Sequence, residues 1–101
     1  MPATCRTGDS LSTGHICSST TTIASSNTDG TVHAEGIDVI VVGAPTVSHP
    51  FPPSPPCAPH VANLNAGSSS VFVNGIPVGR IGDSADAGAM TSGASTVFAG
   101  G

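Results

Sequence analysis

Residues 70–84 read Ser-Val-Phe-Val-Asn-Gly-Ile-Pro-Val-Gly-Arg-Ile-Gly-Asp-Ser, and residues 31–45 read Thr-Val-His-Ala-Glu-Gly-Ile-Asp-Val-Ile-Val-Val-Gly-Ala-Pro. At an offset of 39 residues, the apolar positions and both glycines of the two stretches coincide. The chain therefore contains an internal repeat, which must be recognised before its secondary structure is assigned. The matched pairs are Val32 with Val71, Gly36 with Gly75, Ile37 with Ile76, Val39 with Val78, Val42 with Ile81, and Gly43 with Gly82.

Each copy of the repeat predicts two short strands joined by a tight turn. The turn falls at Asn74-Gly75 in one copy and at Glu35-Gly36 in the other. Asn-Gly between β-branched residues is the strongest short-range signal for a hairpin. The ends of the chain carry half copies, because residues 6–10 repeat residues 80–84, and residues 93–101 repeat residues 67–75.

Two hairpins plus one strand at each end make three equivalent units, provided that the chain ends pair with each other. We therefore predict one all-β domain over residues 1–101, a small conical fold with a pseudo-threefold arrangement of hairpins and no helix. The long connections, residues 10–30, 44–68 and 84–93, should gather at one end as a tapered apex opposite a flat base. The alternative is a small sandwich whose two hairpins happen to look alike.

Composition excludes several functional classes. Charged residues are 8% of the chain, and the formal net charge is -4 with two Arg and no Lys. Such a surface cannot neutralise a nucleic-acid backbone, so nucleic-acid binding is not expected. No apolar run is long enough to span a bilayer, and the N-terminus lacks the apolar stretch of a signal peptide. We expect a soluble chain without an export signal of its own.

Candidate metal ligands are concentrated in the connections. A core this small usually needs a disulfide, a metal or a partner, and an odd number of Cys argues against a closed disulfide framework. Zinc is bound by imidazole nitrogen and thiolate sulfur, and Cys57-Ala-Pro-His60 offers both within one tight turn. We predict a structural zinc ion in a set that takes its sulfur from Cys57, with Cys17 as the alternative. The predicted ligands are His15, His49, Cys57 and His60.

The remaining notable residues indicate turns and not catalysis. The acids Asp9 and Asp83 belong to repeated Gly-Asp turns, where each carboxylate is expected to accept hydrogen bonds from the backbone N–H groups that follow it. No catalytic triad, phosphate-binding loop or acid pair stands out, so an enzyme is not expected. The predicted structural turn residues are Gly8, Asp9, Gly36, Gly43, Asn74, Gly75, Gly82 and Asp83.

The sequence argues against two other functional classes, a metal-dependent enzyme and a generic binding module. A metal-dependent enzyme would need an open coordination position and a nearby general base, and neither is visible. A generic adhesion or carbohydrate-binding module would need exposed aromatics for stacking on sugars, and the chain has only three Phe and no Trp or Tyr.

The repeat resembles the signature of PAAR-repeat proteins, which are named for Pro-Ala-Ala-Arg. Residues 77–80, Pro-Val-Gly-Arg, stand in that place here, followed by Ile-Gly-Asp. The first copy departs from the signature, because residues 38–41 read Asp-Val-Ile-Val and lack the Arg and the following Asp. The resemblance covers nearly the whole chain, including the half copies and the His and Cys of the connections.

The resemblance implies a tip protein that caps the trimeric β-helical spike of a contractile phage tail or a type VI secretion system. It implies one zinc ion near the tip, held by three His and one Cys, which correspond to His15, His49, His60 and Cys57. The expected partner is the spike trimer, bound by one copy of the chain through its base, with transient contact to a target outer membrane. The expected location is a virion tail baseplate or the exterior reached through the contractile apparatus.

Overall fold

The computed structural model describes residues 2–15, 19–28, 30, 32–51 and 58–100. These form a body of 40 × 24 × 21 Å built from short antiparallel strands, which confirms the all-β prediction. No helix occurs within these ranges, and so none has the length and apolar character needed to cross a membrane. The strands are β1 (Ser10–Ser12), β2 (Thr20–Thr22), β3 (His33–Ala34), β4 (Ile37–Asp38), β5 (His49–Phe51), β6 (Ala58–His60), β7 (Phe72–Val73), β8 (Ile76–Pro77), β9 (Ser84–Ala85) and β10 (Gly88–Met90).

A closed ring of three backbone hydrogen bonds lies at the centre of the fold. The Cys5 amide donates to the Gly79 carbonyl at 2.9 Å, and the Gly79 amide donates to the Ile40 carbonyl at 2.9 Å. The Ile40 amide then donates to the Cys5 carbonyl at 3.2 Å, which closes the ring. A ring in which each of three segments bonds the next has threefold character and is not the pairing of a two-sheet sandwich. The flanking antiparallel bridges have the same pattern: Thr4 with Arg80, Arg6 with Val39, and Val41 with Val78.

The three hairpin units lie where the repeat predicts them. Strands β3 and β4 pair across the Glu35–Gly36 turn, and β7 and β8 pair across Asn74–Gly75. All four turn residues have positive φ, between 53° and 80°, which explains why Asn-Gly recurs in such turns. The third unit is made by the two ends of the chain, through a bridge between Ala3 and Phe98.

The connections are not the loops that the sequence predicts, because they contain six of the ten strands found in the described residues. Each runs out and back as a hairpin, β1–β2, β5–β6 and β9–β10, so its polar backbone groups are paired. Neighbouring connections also pair, through Leu11–Met90, Ile23–Thr46 and Leu64–Ala85. Strands of two or three residues, rich in Ser and Thr, are too short to show the alternation by which strands are recognised in sequence.

Two apolar clusters fill the interior. One is formed by hairpin residues and includes Val73 and Val78, while the other is formed mainly by the connections and includes Leu11, Ile40 and Leu64. Cys5 belongs to the second cluster and is fully buried. Burial raises the pKa of its thiol to about 12, helped by the nearby Asp9 carboxylate. Cys5 is therefore a packing residue and not a reactive thiol.

The Gly-Asp turns are ordered by arginine, which corrects the prediction that their carboxylates accept from the following amides. Asp9 Oδ2 accepts from the Arg6 amide at 2.6 Å and from Arg6 Nε at 3.0 Å, and Asp9 Oδ1 accepts from Arg6 Nη2 at 3.1 Å. Asp83 and Arg80 have the same arrangement. The planar guanidinium group of the arginine fits both carboxylate oxygens at once. The carboxylate therefore pairs with the arginine three residues before it and not with the amides that follow it. Gly8, Gly43 and Gly82 adopt equivalent positive φ values of 89°, 95° and 90°.

Candidate functional sites

The tips of the three connections bring four candidate metal ligands together. His49 and His60 are directly opposite each other on β5 and β6. His15 follows β1 in the first connection, and Asp86 lies in the turn between β9 and β10 in the third. One ligand atom from each residue falls within 4.8 Å of all the others, so this cluster could hold a metal ion.

The side chains of the cluster converge through their Nε2 atoms. Asp86 Oδ2 lies 2.9 Å from His15 Nε2 and 2.8 Å from His49 Nε2. Asp86 Oδ1 lies 3.4 Å from His60 Nε2, and the two nitrogens of His15 and His49 are 3.3 Å apart. Ligand atoms about 2.0–2.1 Å from a tetrahedral ion are about 3.3–3.4 Å from one another, which matches the two longer spacings, whereas the 2.8 and 2.9 Å spacings are hydrogen-bond distances that would lengthen around an ion.

The protonation of His49 explains why a cation fits this cluster. His49 Nδ1 lies 2.9 Å from the Val47 carbonyl oxygen, which can only accept, so the proton of the neutral ring is on Nδ1. His49 Nε2 then presents a lone pair to the Asp86 carboxylate 2.8 Å away. Two lone pairs at this distance repel each other unless a proton or a metal ion lies between them. The site is therefore built for a positive charge.

Burial and local charge reinforce this conclusion. The side chains of His15, His49 and Asp86 are only 7%, 4% and 6% exposed, whereas that of His60 is 25% exposed. Burial alone would raise the pKa of Asp86, but the hydrogen bonds that its carboxylate accepts from His49, His15 and His60 when their Nε2 atoms carry a proton outweigh burial and hold this pKa below its ordinary value. A carboxylate held ionised beside three imidazoles is suited to binding a divalent ion.

Glycines allow the first and third connections to approach closely enough to form the cluster. A Cβ atom at Gly14 would overlap the Ala87 carbonyl oxygen, and a Cβ atom at Gly88 would overlap the Ser12 carbonyl oxygen. At this contact the Ala87 amide donates to the Thr13 carbonyl at 2.9 Å. The backbone of the Asp86 turn is thereby fixed against the segment that leads to His15.

The Asp86 turn has a second support and an uncommon backbone conformation. Asn65 Nδ2 donates to the Asp86 carbonyl at 2.9 Å, and the Asp86 amide donates to the Asn63 carbonyl at 3.2 Å. Asp86 has a φ of 54°, in the left-handed region that Asp and Asn tolerate better than most residues. Residues held in this region by their surroundings are common at functional sites.

Three of the predicted ligands, His15, His49 and His60, are brought together in the structure. Both candidate sulfur ligands, Cys57 and Cys17, lie outside the described residues. His33 is away from the cluster, on β3, and pairs with Asp38 at 2.9 Å. Asp86 was not among the predicted ligands. Residues 84–93 contain no His, Cys or Glu, so the absence of other ligand types in the third connection is the signal that points to this aspartate.

A second feature lies at the hairpin side of the molecule. Val32, Val71 and Val97 are equivalent, since their carbonyls accept from Val39, Val78 and Thr4 at 3.0, 3.0 and 2.9 Å. These three valines line an apolar depression of about 220 Å³, which we call the basal depression. At its rim, Phe72 and Phe98 are 51% and 49% exposed, and His33 takes the corresponding place in the first unit.

Comparison with known proteins gives no family to which this chain can be assigned. No family model matches the sequence, and no curated protein is significantly similar to it. Function must therefore be argued from the repeat and from the geometry of the two sites.

Proposed function

We propose that this chain is a spike-tip protein, which caps the trimeric β-helical spike of a contractile injection machine. The machine would be a phage tail or a type VI secretion system, and the chain would help the spike to pierce a target cell envelope. Its role is structural and not enzymatic. One copy of the chain would bind one trimer, and a metal ion would stabilise the pointed end.

The observation that carries this proposal is the ring formed by Cys5, Ile40 and Gly79. A single chain with three equivalent segments around one axis can make the same contact with each subunit of a true threefold partner. An ordinary asymmetric domain could contact at most one subunit of a trimer in any given way. Pseudo-threefold symmetry within a monomer is thus explained by a trimeric partner.

The basal depression supports the direction of docking. It lies on the hairpin side, and its three valines are related by the same axis as the ring. Contiguous exposed apolar side chains on a small protein commonly mark an interaction surface, and Phe72 and Phe98 are the largest ones here. Docking would bury them and cover the exposed strand edges at the end of the spike.

The metal cluster supports the assignment of the opposite end as the tip. Zinc is the ion we propose, because three imidazoles and an anionic ligand suit it well. An ion bound by all three connections would make the tip rigid without a large apolar core. The chain would then travel with the spike, contact the target outer membrane transiently and take its location from the virion tail or the secretion apparatus.

The proposal is tested by co-expressing the chain with the trimeric β-helical spike proteins of its own genome and weighing the complexes by native mass spectrometry. We expect one chain for every three spike subunits. Phe72→Glu and Phe98→Glu should each abolish the complex, because a charge would be buried at the interface. Val61→Glu is the matched control, since Val61 is 56% exposed but lies next to β6, away from the basal depression. Absence of any such complex, or loss of binding only in the control, would contradict the proposal.

A further inference from the structure

We infer that Asp86 is itself a ligand of the metal ion and that the coordination shell is completed without a thiolate. The set would be His15, His49, His60 and Asp86, with three imidazole nitrogens and one carboxylate oxygen. This differs from the three His and one Cys that the family resemblance implies. The inference requires that the cluster binds a metal, but it does not require that the chain caps a spike.

The Asp86 carboxylate contacts the imidazole nitrogens that face the centre of the cluster. A carboxylate that only orients a metal-bound histidine accepts a hydrogen bond from the ring nitrogen that points away from the ion. For His49 that outer nitrogen is Nδ1, and its partner is the Val47 carbonyl at 2.9 Å. Asp86 instead meets His49 Nε2, the nitrogen that faces the other imidazoles. Asp86 is therefore placed as a ligand and not as an orienting group.

The Asp86 carboxylate lies close to all three imidazole nitrogens of the cluster. Its Oδ2 atom is within 2.9 Å of both His15 Nε2 and His49 Nε2, and within 3.4 Å of His60 Nε2. An ion bound by these three nitrogens on the side that faces Asp86 would be in direct contact with this oxygen. A carboxylate so close to three coordinating nitrogens takes up the fourth position that a sulfur would otherwise occupy.

The four ligands come from all three connections of the chain. His15 belongs to the first connection, His49 and His60 belong to the second, and Asp86 belongs to the third. With Asp86 as a ligand, one ion ties together all three connections of the pseudo-threefold fold. With a sulfur from either Cys17 or Cys57 in its place, the third connection would contribute nothing to the ion.

A chemical consequence separates this set from a thiolate site. Imidazole and carboxylate ligands are not consumed by mild oxidants, whereas a metal-bound thiolate can be oxidised and lost. We therefore expect the ion to stay bound after treatment with hydrogen peroxide at a concentration that oxidises accessible thiols. This property would suit a protein that acts outside the reducing cytosol.

The test replaces the native ion with Co²⁺ in the full chain and records the absorption spectrum. Thiolate-bound Co²⁺ has an intense charge-transfer band in the near ultraviolet, and a site of three imidazoles and a carboxylate has none. We expect visible bands of tetrahedral or five-coordinate Co²⁺ without the charge-transfer band. A charge-transfer band that disappears in the Cys17→Ser/Cys57→Ser double variant would overturn the inference, as would failure to bind any metal.

Variants give a second, independent readout. Asp86→Asn keeps the shape and tolerates the left-handed backbone, but it removes the charge of the ligand, so zinc affinity should fall by more than about 100-fold. The Cys17→Ser/Cys57→Ser variant should retain its zinc affinity within about threefold. The opposite ranking would show that a sulfur is the fourth ligand. If Asp86→Asn does not fold, the wild-type Co²⁺ spectrum still decides, and the capping experiment is unaffected by either outcome.

Discussion

The Cys5 amide and the Gly79 carbonyl, 74 residues apart in sequence, are joined by a 2.9 Å hydrogen bond in the ring around the pseudo-threefold axis. Ile40 completes the ring. The equivalent places around the axis are therefore occupied by the thiol side chain of Cys5, the branched side chain of Ile40 and the single hydrogen atom of Gly79. The three side chains of this layer therefore differ greatly in volume. The core is threefold in its backbone but not in its packing.

Gly79→Ala tests how tightly this layer is packed. A Cβ atom at Gly79 would lie 2.5 Å from Leu64 Cδ2 and 3.0 Å from Ile40 Cγ1, and both side chains are fully buried. We expect a loss of about 1–3 kcal/mol in the free energy of unfolding, measured by urea denaturation. Adding Leu64→Val, which alone should cost about 1 kcal/mol, should recover part of the loss. Strictly additive losses would contradict this packing.

The Arg–Asp turns provide a comparison within the chain. Arg6 and Asp9 form an ion pair at 3.0 Å, whereas Val41 and Ala44 occupy the equivalent places in the first copy and keep only the backbone bond, at 3.0 Å. Asp9→Ala should cost about 2–3 kcal/mol, because the Arg6 amide and guanidinium lose their acceptor. In thermal or urea unfolding, the Arg6→Val/Asp9→Ala double variant should recover the part of that loss that comes from the guanidinium. The amide of residue 6 still has no acceptor in this variant, whereas the Val41 amide donates to the Ser26 carbonyl at 3.2 Å. A double variant less stable than the single one would contradict this account.

Glu35 should make the C-terminal segment sensitive to acid. Its carboxylate accepts hydrogen bonds from the Thr96 hydroxyl at 2.7 Å, the Ser95 hydroxyl at 2.9 Å and the Ser95 amide at 3.1 Å. The hydrogen bonds from Thr96 and Ser95, aided by the charge of Arg6, hold the pKa of Glu35 below its ordinary value of 4.5.

Because the folded-state pKa is lowered, the stabilisation is present above about pH 4.5 and is lost as the pH falls through the folded-state pKa. The protection of the Ser95 amide from hydrogen exchange, followed by NMR, should therefore decrease in acid in the wild type. In Glu35→Gln it should be lower at neutral pH and should lack that acid-induced step. An identical pH profile in the two proteins would show that this carboxylate does not hold the segment.

Alanine substitutions at Gly88 and Gly75 distinguish an effect on the geometry of the metal site from an effect on the stability of the fold. Gly88→Ala should lower both the melting temperature and the zinc affinity, because the new methyl group overlaps the Ser12 carbonyl and displaces the Asp86 turn. Gly75→Ala is the matched control, since the space around it is open but its φ is 80°. It should cost about 1–2 kcal/mol through backbone strain and leave zinc affinity unchanged. Equal losses of zinc affinity in both variants would contradict the assigned role of Gly88.

The internal repeat made the hairpins and their threefold arrangement predictable, because its turn glycines, Gly36 with Gly75 and Gly43 with Gly82, and its apolar strand positions recur in register. The strands of the connections could not be predicted in the same way. β1 and β9 pair with neighbouring connections that are distant in sequence, through Leu11–Met90 and Leu64–Ala85, and β5 pairs with β6 across the second connection. Their short, polar sequences carry no local signal of that pairing.

Some ligands of the metal cluster could likewise be predicted from the sequence, and one could not. His49 and His60 could be predicted because the intervening prolines favour a chain that returns on itself, and their register on β5 and β6 agrees with that reasoning. Asp86 has no neighbouring ligand in sequence and stands in a turn of small residues. Only the convergence of three connections gives it a role, and this convergence is a property of the whole fold.

The most direct test of the central claim is the metal content of the protein, purified without an affinity tag or added metal, followed by melting with and without a chelator. The account predicts one divalent ion per chain and a fall in melting temperature of more than about 10 °C when the ion is removed. A protein that contains no metal and melts at the same temperature with and without the chelator would contradict it.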